Sequence, residues 1–330
     1  MLLLDAQDLK RLTDMRFAME AVSTALREFS AGRTVTPERT FLPVPQHDGN
    51  TLLMASHVEA AGSLGVKIVS IFPGNRSKGK DTALGVMLLL DPETGEPLAL
   101  MDASFLTMLR TGAASGVATR YLAREDAKTL AVIGTGRQAR GAVEAVLCVR
   151  PIREIRLYNR TAGKAREFAQ ALREDLREDC PDIRIMDSAD GAAEGADVLI
   201  VATTSAVPVI SPQAVGPGAH INGIGAYRPT LQEIPSEIVT AADKLVVETR
   251  EGALEETGDL IIPIQAGLYS PDRIYGELGE LIDGRKNGRE HDRELTFFKS
   301  VGLAAMDSVV AKAVYDRARE AGVGRRAPLW

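Results

Sequence analysis

The second part of the chain, from about residue 129, alternates between short apolar runs and segments with helical spacing. The apolar runs are TLAVIG, EIRLYN, IRIM and DVLIVAT, and the helical segments between them are RQARGAVEAVLCV, AGKAREFAQALRED and GAAEGA. A repeated alternation of strand and helix is typical of stacked βαβ units around a parallel sheet. Two later apolar runs, HINGIGA and KLVVET, predict further strands. This part of the chain therefore predicts an α/β domain.

The first part of the chain has a different pattern. TLLMAS, GVKIVSIFP and ALGVMLLL predict strands, and DPETGEP predicts a hairpin turn between two of them. A helical pattern begins near Ser104 and leads directly into the first strand of the α/β domain. The last amphipathic segment, which ends at Gly322, is expected to cross back to the first domain. We therefore expect an α+β domain of residues 1–124 and 302–330, an α/β domain of residues 125–301, and a functional cleft between them.

Composition narrows the classes of function. A chain of 330 residues with 45% hydrophobic and 25% charged residues fits two globular domains. Few aromatic residues and a net charge of -6 argue against a nucleic-acid partner. The longest apolar run is far shorter than the roughly 20 residues that span a bilayer, and the N-terminus lacks a basic leader, so no membrane partner is expected. Two isolated cysteines and four scattered histidines predict a reducing cytoplasm and no metal.

The segment GTGRQA joins an apolar strand to a helix and matches the GxGxxA form of the dinucleotide fingerprint. Gly134 permits the tight turn, Gly136 lets the backbone approach a pyrophosphate, and Ala139 lets the helix pack closely on the strand. The helix N-terminus, with Arg137 and Gln138 in its first turn, supplies N–H groups to the phosphates. This loop predicts a Rossmann domain that binds a dinucleotide.

The end of the second Rossmann strand indicates which dinucleotide is bound. NAD-specific domains usually carry an acidic residue there, whereas this chain has Asn159, Arg160 and Thr161. Arg160 can pair with a 2'-phosphate, and its two neighbours can add hydrogen bonds. We expect NADP(H) to be preferred, with NAD(H) as the alternative if Arg160 lies on a solvated loop.

Several motifs, taken in their order and spacing, resemble the ornithine cyclodeaminase/mu-crystallin family over almost the whole chain. These motifs are PERT at 37–40, GVKIVSIFP at 65–73, the stretch from TALG to LRTGAAS at 82–115, GTGRQA at 134–139, GIGAYRP at 223–229, and GDL followed by GELGELIDG. The resemblance implies a homodimer with a Rossmann domain and a substrate and dimerisation domain that the C-terminal helix completes. It also implies hydride exchange at the α-carbon of an amino or imino acid.

The resemblance also identifies site residues. Lys67 matches the active-site lysine, and a lysine inside an apolar strand needs a partner or a lowered pKa. Arg39 and Arg110 match carboxylate-binding arginines, although the first could be a surface residue and the second an interface ion pair. The expected substrate-binding residues are Arg39, Met54, Lys67, Arg110 and Tyr227. Outside the glycine loop and the Asn159–Thr161 segment, the expected cofactor-binding residues are Thr82, Arg110, Thr111, Thr203, Thr204 and Gly225, of which the threonines could instead be turn caps.

Tyr227 stands where the cyclodeaminases of this family have an aspartate that activates water. A phenol with a pKa near ~10 is a poor general base at neutral pH, so ornithine cyclodeamination is disfavoured. By resemblance, we expect NAD(P)H-dependent reduction of a small cyclic imino acid, Δ1-pyrroline-2-carboxylate or Δ1-piperideine-2-carboxylate. The alternatives are an alanine dehydrogenase-like reaction, residual cyclodeamination, and a cofactor-dependent ligand-binding protein without turnover.

Overall fold

The computed structural model describes residues 1–328, which divide into two compact units. The first unit combines Met1–Arg110 with the chain from Leu303 onward, and the second unit is Thr111–Gly302. The sequence predicts unit boundaries after residues 124 and 301, whereas the structure has them after Arg110 and Gly302. The boundary after Arg110 falls inside one continuous helix, Ala103–Leu122, which a hydrophobic pattern cannot divide. The last two residues of the expected α+β domain, 329 and 330, lie outside the described residues.

The strands and helices alternate along the described chain. The strands are β1 (Leu2–Leu4), β2 (Thr34–Val35), β3 (Thr40–Val44), β4 (Gly49–Val58), β5 (Ser63–Ile71), β6 (Ala83–Leu90), β7 (Pro97–Asp102), β8 (Thr129–Ile133), β9 (Glu154–Tyr158), β10 (Asp182–Ile185), β11 (Val198–Val201), β12 (His220–Gly223), β13 (Lys244–Val247), β14 (Gly276–Glu277), β15 (Thr296–Lys299) and β16 (Arg325–Arg326). The α-helices are α1 (Ala6–Leu12), α2 (Met15–Ser30), α3 (Ala103–Leu122), α4 (Arg137–Val149), α5 (Ala162–Leu176), α6 (Ala189–Ala193), α7 (Ser236–Ala241), α8 (Arg250–Glu256), α9 (Gly258–Gln265), α10 (Leu278–Ile282) and α11 (Ala304–Ala321). Within residues 1–328, none of these helices is long and apolar enough to span a bilayer.

The first unit is built on a sheet of order β16-β1-β7-β6-β5-β4-β2, with β3 also paired to β4. The predicted hairpin between β6 and β7 is confirmed, and the Asp91 carboxylate accepts two backbone N–H groups in its turn. Helix α11 ends at Gly322, as predicted, and packs against β4, β5, β6 and α2. Alternate residues of β4, such as Met54 and Ser56, are buried, while Leu53 and Ala55 between them are only partly buried. One face of the sheet is therefore packed and the other is more open.

The second unit contains an entirely parallel sheet of order β10-β9-β8-β11-β12-β15-β13-β14. The predicted α/β fold is confirmed, including the strands expected from HINGIGA and KLVVET. Strand β15 was not predicted, and it lies between the two strands that those runs form. The strand order reverses between β8 and β11, and a sheet of this kind binds its ligand at the carboxyl ends of the strands beside such a reversal. The loops after β8, β9, β11 and β12 are thus the candidate ligand-binding loops.

A buried histidine lies inside this parallel sheet. His220 opens β12 and is fully buried, and its Nδ1 lies 3.0 Å from the Thr296 hydroxyl on β15. Burial, together with nearby Arg289 and Arg150, lowers the pKa of His220 to about 3. The imidazole is therefore neutral in the folded protein at all but strongly acidic pH.

We expect the free energy of unfolding to fall by about 2 kcal/mol between about pH 7 and pH 5 because of His220 alone. The unfolded chain takes up a proton at the ordinary histidine pKa of 6.5, whereas folded His220 does not. His220→Asn offers Thr296 an amide partner and does not titrate, so the variant should lose correspondingly less. Urea denaturation at both pH values measures the difference. Equal losses in the two proteins would assign the pH dependence to other groups.

Candidate functional site

A buried cluster of charged side chains lies between the sheet and helix α11 of the first unit. Lys67 is on β5 opposite Met54 of β4, and its Nζ lies 2.6 Å from Oδ2 of Asp307 on α11. The Arg110 Nε donates to the other oxygen, Oδ1, at 3.1 Å. All three charged side chains are almost fully buried. One carboxylate therefore holds two cations from different elements of the same unit.

Positive charge is in excess in this cluster. Burial lowers the pKa of Lys67 to about 8; Asp307 opposes that change, while Arg110 and Arg39 reinforce it. Burial by itself would raise the pKa of Asp307, but Lys67 and Arg110 hold that pKa below its usual value. Arg39 is partly buried and directly precedes β3, whose register continues to a position opposite Met54. Two buried cations, Lys67 and Arg110, thus share a single carboxylate, so the cluster is complementary to a further anion.

Sequence reasoning identified the cations of this cluster but missed Asp307. Met54 lies opposite Lys67 in the sheet, and Asp307 pairs with both Lys67 and Arg110. Arg39 is near enough to help lower the pKa of Lys67. Its signal was available, because Asp307 is a lone acid within an apolar stretch of α11. A buried charge needs a buried partner, and Lys67 was already expected to need one.

The remaining residue predicted in the first unit is farther along the sheet. Thr82 precedes β6, and its carbonyl accepts the Phe72 N–H at 2.8 Å. The β6 residue opposite Lys67 is Met87. Thr82 comes five positions before Met87, which corresponds to about 16 Å of extended chain. Thr82 is therefore not part of the charged cluster.

The glycine loop of the second unit has the geometry that a dinucleotide requires. Gly134 has a φ of +90°, and a Cβ there would lie 2.5 Å from the Ala202 carbonyl oxygen. Gly136 caps α4 without a side-chain hydrogen bond, and the space beside it is open. The buried Thr135 Oγ1 and Gln138 Oε1 have no hydrogen-bond partner. Unused polar groups and backbone donors at a helix N-terminus fit a bound pyrophosphate, with Arg137 exposed in the first turn and Ala139 buried against the sheet.

The segment after β9 borders this loop. The Asn159 Oδ1 accepts the Thr135 N–H at 3.3 Å, and its Nδ2 donates to the Thr161 carbonyl at 3.0 Å. Asn159 therefore links the glycine loop to its own segment, while Arg160 is exposed and Thr161 stands at the N-cap of α5. Thr111, the first residue of the second unit, is buried within α3.

The loops after β11 and β12 are held by a residue that sequence reasoning missed. The Glu233 Oε2 accepts the N–H of Thr203 at 2.7 Å and its hydroxyl at 3.0 Å. Its Oε1 accepts the N–H groups of Gly225 and Ala226 at 2.6 and 3.0 Å. Burial raises the pKa of Glu233 above its usual value, although Lys299 opposes the change. Two neighbouring loops of the ligand-binding edge thus share one buried carboxylate.

The other predicted residues of these loops are more accessible. Thr204 is exposed next to Thr203, and Tyr227 is partly exposed two residues after Gly225. The Arg228 guanidinium lies 5.4 Å from the centroid of the Tyr227 ring. The phenol therefore stacks with a cation.

Several known proteins resemble this chain over nearly its whole length. A Δ1-pyrroline-2-carboxylate reductase of Bacillus cereus is 48% identical over 326 residues, which are 99% of each chain. The solved structure of Thermococcus litoralis Δ1-pyrroline-2-carboxylate reductase with NADH and L-proline is 44% identical, with a TM-score of 0.95, and covers 99% of this chain and 100% of that one. An archaeal alanine dehydrogenase dimer with bound NAD is 36% identical, with a TM-score of 0.92, and covers 100% and 99%.

The family model of the ornithine cyclodeaminase/mu-crystallin family matches residues 1–322. The resemblance drawn from the sequence motifs is confirmed: the chain belongs to the ornithine cyclodeaminase/mu-crystallin family.

Proposed function

We propose that the protein is an NAD(P)H-dependent reductase that converts a small cyclic imino acid, Δ1-pyrroline-2-carboxylate or Δ1-piperideine-2-carboxylate, into the amino acid. The observation that carries the proposal is the buried cluster in which Lys67 and Arg110 share one carboxylate, that of Asp307. A substrate carboxylate supplies the negative charge that this cluster lacks. Relatives of the same length that are named as Δ1-pyrroline-2-carboxylate reductases support the substrate class.

The roles of the residues follow from their charge and burial. Arg39 and Arg110 present guanidinium groups that bind a carboxylate in two-point geometry. Lys67 has a pKa of about 8 and is therefore mostly protonated at neutral pH. Its Nζ can donate a proton to the imine nitrogen, which makes the adjacent carbon a better hydride acceptor. A nicotinamide, when bound, would supply the hydride, and Asp307 holds Lys67 through the contact of its Oδ2 with the Lys67 Nζ.

Ornithine cyclodeamination and the oxidative deamination of alanine are the two alternatives to imine reduction. Tyr227, which stacks with Arg228, stands where a cyclodeaminase would use an aspartate, so water activation at that position is disfavoured. Reversible oxidative deamination of alanine is the second candidate, because an alanine dehydrogenase shares the fold and 36% of the residues. The same cation cluster would bind the carboxylate of pyruvate.

A matched assay separates these candidates. Oxidation of NADH and NADPH is followed with pyrroline-2-carboxylate, with piperideine-2-carboxylate, and with pyruvate plus ammonia. We expect the highest kcat/KM with one of the cyclic imines. Faster oxidation with pyruvate and ammonia would reverse the order of the two candidates. Tight ligand binding without cofactor oxidation would instead favour a binding protein.

We also propose a preference for NADP(H), which rests on Arg160. This arginine is exposed beside the glycine loop, and no acidic residue occupies the segment from Asn159 to Thr161. Replacing Arg160 by alanine should raise the KM for NADPH about tenfold and leave the KM for NADH within about twofold, because only NADPH carries the 2'-phosphate. Initial rates with each cofactor test this. Equal changes in the two KM values would show that Arg160 does not read the 2'-phosphate.

The homodimer is a further part of the proposal and rests on the open face of the sheet in the first unit. Leu84 and Val86 of β6 are 47% and 39% exposed, and Leu42 of β3 is 49% exposed. Cross-strand register places Leu53 and Ile68 beside Val86 on this face. Thr51 and Ser70 interrupt these apolar residues in the row between Leu42 and Leu84. Several exposed apolar side chains on one sheet face are typical of a surface that a second copy covers.

Light scattering during gel filtration tests the dimer. We expect a dimer for the native chain and a shift towards monomer for Val86→Glu. The control is Val207→Glu, at a site in the second unit that is 66% exposed, and it should remain dimeric. A monomeric native chain would overturn this part of the proposal.

A further inference from the structure

Three buried ionisable side chains form a second cluster, which lies wholly within the second unit. The Lys299 Nζ lies 2.7 Å from Asp259 Oδ2 and 3.6 Å from Glu233 Oε1. The Asp259 Oδ1 accepts the N–H groups of Glu233 and Ile234 at 2.7 and 2.9 Å. All three ionisable side chains have zero exposure. The cluster therefore fixes both the backbone and the side chain of Glu233.

Glu233 uses this fixed position to join two loops. Its four hydrogen bonds come from Thr203, which follows β11, and from Gly225 and Ala226, which follow β12. These loops lie so close that a Cβ on Gly225 would collide with the backbone of Thr203. The Thr203 side chain in turn would lie 2.9 Å from a Cβ on Gly134. Contact thus runs from Glu233 through Thr203 to the glycine loop.

We propose that Glu233 is a positioning residue for dinucleotide binding, because its carboxylate holds the Thr203 and Gly225 loops against the glycine loop at the carboxyl edge of the sheet. The inference rests on the proposed use of a dinucleotide. It goes beyond that proposal because Glu233 is not one of the predicted cofactor-binding residues, yet its side chain holds the loops that form the binding edge. Two further residues support Glu233. Lys299 compensates the negative charge of Glu233 and Asp259, and Asp259 accepts the backbone N–H of Glu233.

A purely stabilising function would not require this arrangement. An ion cluster buried from water gives little net stability compared with apolar residues of the same volume. The four donors to Glu233 come from the loops after β11 and β12, at the carboxyl edge of the sheet, rather than from the interior of the sheet. Satisfied networks of this kind hold a unique local geometry, and a dinucleotide site needs such geometry before the ligand arrives.

The test measures NADH and NADPH binding without substrate, by the fluorescence of the bound nicotinamide. Glu233→Gln replaces one acceptor oxygen by an NH₂ group that opposes N–H or O–H donors, and we expect the Kd for both cofactors to rise about tenfold or more. Hydrogen exchange of the Thr203, Gly225 and Ala226 amides should become faster in the ligand-free variant. Glu233→Asp keeps the charge opposite Lys299 but is too short to reach both loops, so it should also bind weakly even if the Gln variant fails to fold.

Glu248→Gln is the matched control. The buried Glu248 carboxylate accepts the Ser300 hydroxyl at 2.7 Å and the Val301 and Gly302 N–H groups at 3.2 and 2.6 Å, but it holds a segment that follows β15. Its variant should leave the cofactor Kd within about twofold of native. Native binding by Glu233→Asp, or unchanged amide exchange in Glu233→Gln, would overturn the inference. A native protein that binds neither cofactor would overturn the proposed function itself.

Discussion

Lys67→Met is expected to lower kcat/KM for the imino acid by about 10³-fold, because the variant loses both the proposed carboxylate-binding cation and the proposed proton donor. The fold should persist, since Asp307 keeps its bond to Arg110. Cofactor binding measured without substrate should also persist. The native enzyme should lose kcat/KM as the pH rises through about 8, where Lys67 gives up its proton. Steady-state rates across this pH range provide the measurement.

A second lysine supplies the control for this prediction. Lys244 is also buried and ion-paired, with its Nζ 2.6 Å from Glu290, but it lies on β13 of the second unit. Lys244→Met should leave kcat/KM within about threefold of native, since it removes a buried, ion-paired lysine that lies away from the charged cluster. Comparable losses in the two variants would mean that Lys67 acts through stability, not through the substrate.

Asp307→Asn is expected to have the largest effect on stability, with a loss of about 3–5 kcal/mol in the free energy of unfolding. The change leaves Lys67 and Arg110 buried without the carboxylate that now lies 2.6 and 3.1 Å from them. Adding Lys67→Met to this variant removes one of the two unpaired cations. The double variant should therefore recover part of the lost stability, and denaturant unfolding of all four proteins measures the coupling.

Asp316 on the same helix provides the comparison for Asp307. It pairs with Lys312 at 2.6 Å, but its side chain is 47% exposed. Asp316→Asn should change stability by less than about 1 kcal/mol, because water solvates the lysine that remains. If both aspartate variants lost the same stability, the buried charge balance around Lys67 would not be what Asp307 provides.

The strand, glycine turn and helix from Thr129 to Val149 were predictable from the sequence, because their geometry is local. Gly134 and Gly136 are set by a tight turn between one strand and one helix, so their spacing carries the information. That Lys67 needs a buried partner was also predictable, because a charged side chain within an apolar strand is costly to bury alone. Strand β15 was not predicted, because it has only four residues, TFFK, of which just two are apolar.

Asp307 and Glu233 were not predicted, because their partners lie far from them in the sequence. Asp307 pairs with a lysine 240 positions earlier, and Glu233 holds the loop of Thr203, 30 positions away. A hydrophobic pattern records which side chains are buried but not which buried charges meet. The family motifs around GDL did include Asp259, but only the structure shows that it supports Glu233.

The residues of the charged cluster lie far apart in the sequence, which determines when the cluster can form during synthesis. Lys67 and Arg110 leave the ribosome long before Asp307, from which they are separated by 240 and 197 positions. The second unit lies entirely between them in the sequence, so it can fold on its own while the first unit waits for its last helix. A nascent or truncated chain would hold two cations without their counter-ion. The charged cluster can therefore assemble only after the whole second unit has been synthesised, and termination before Asp307 would leave that unit without a completed cluster.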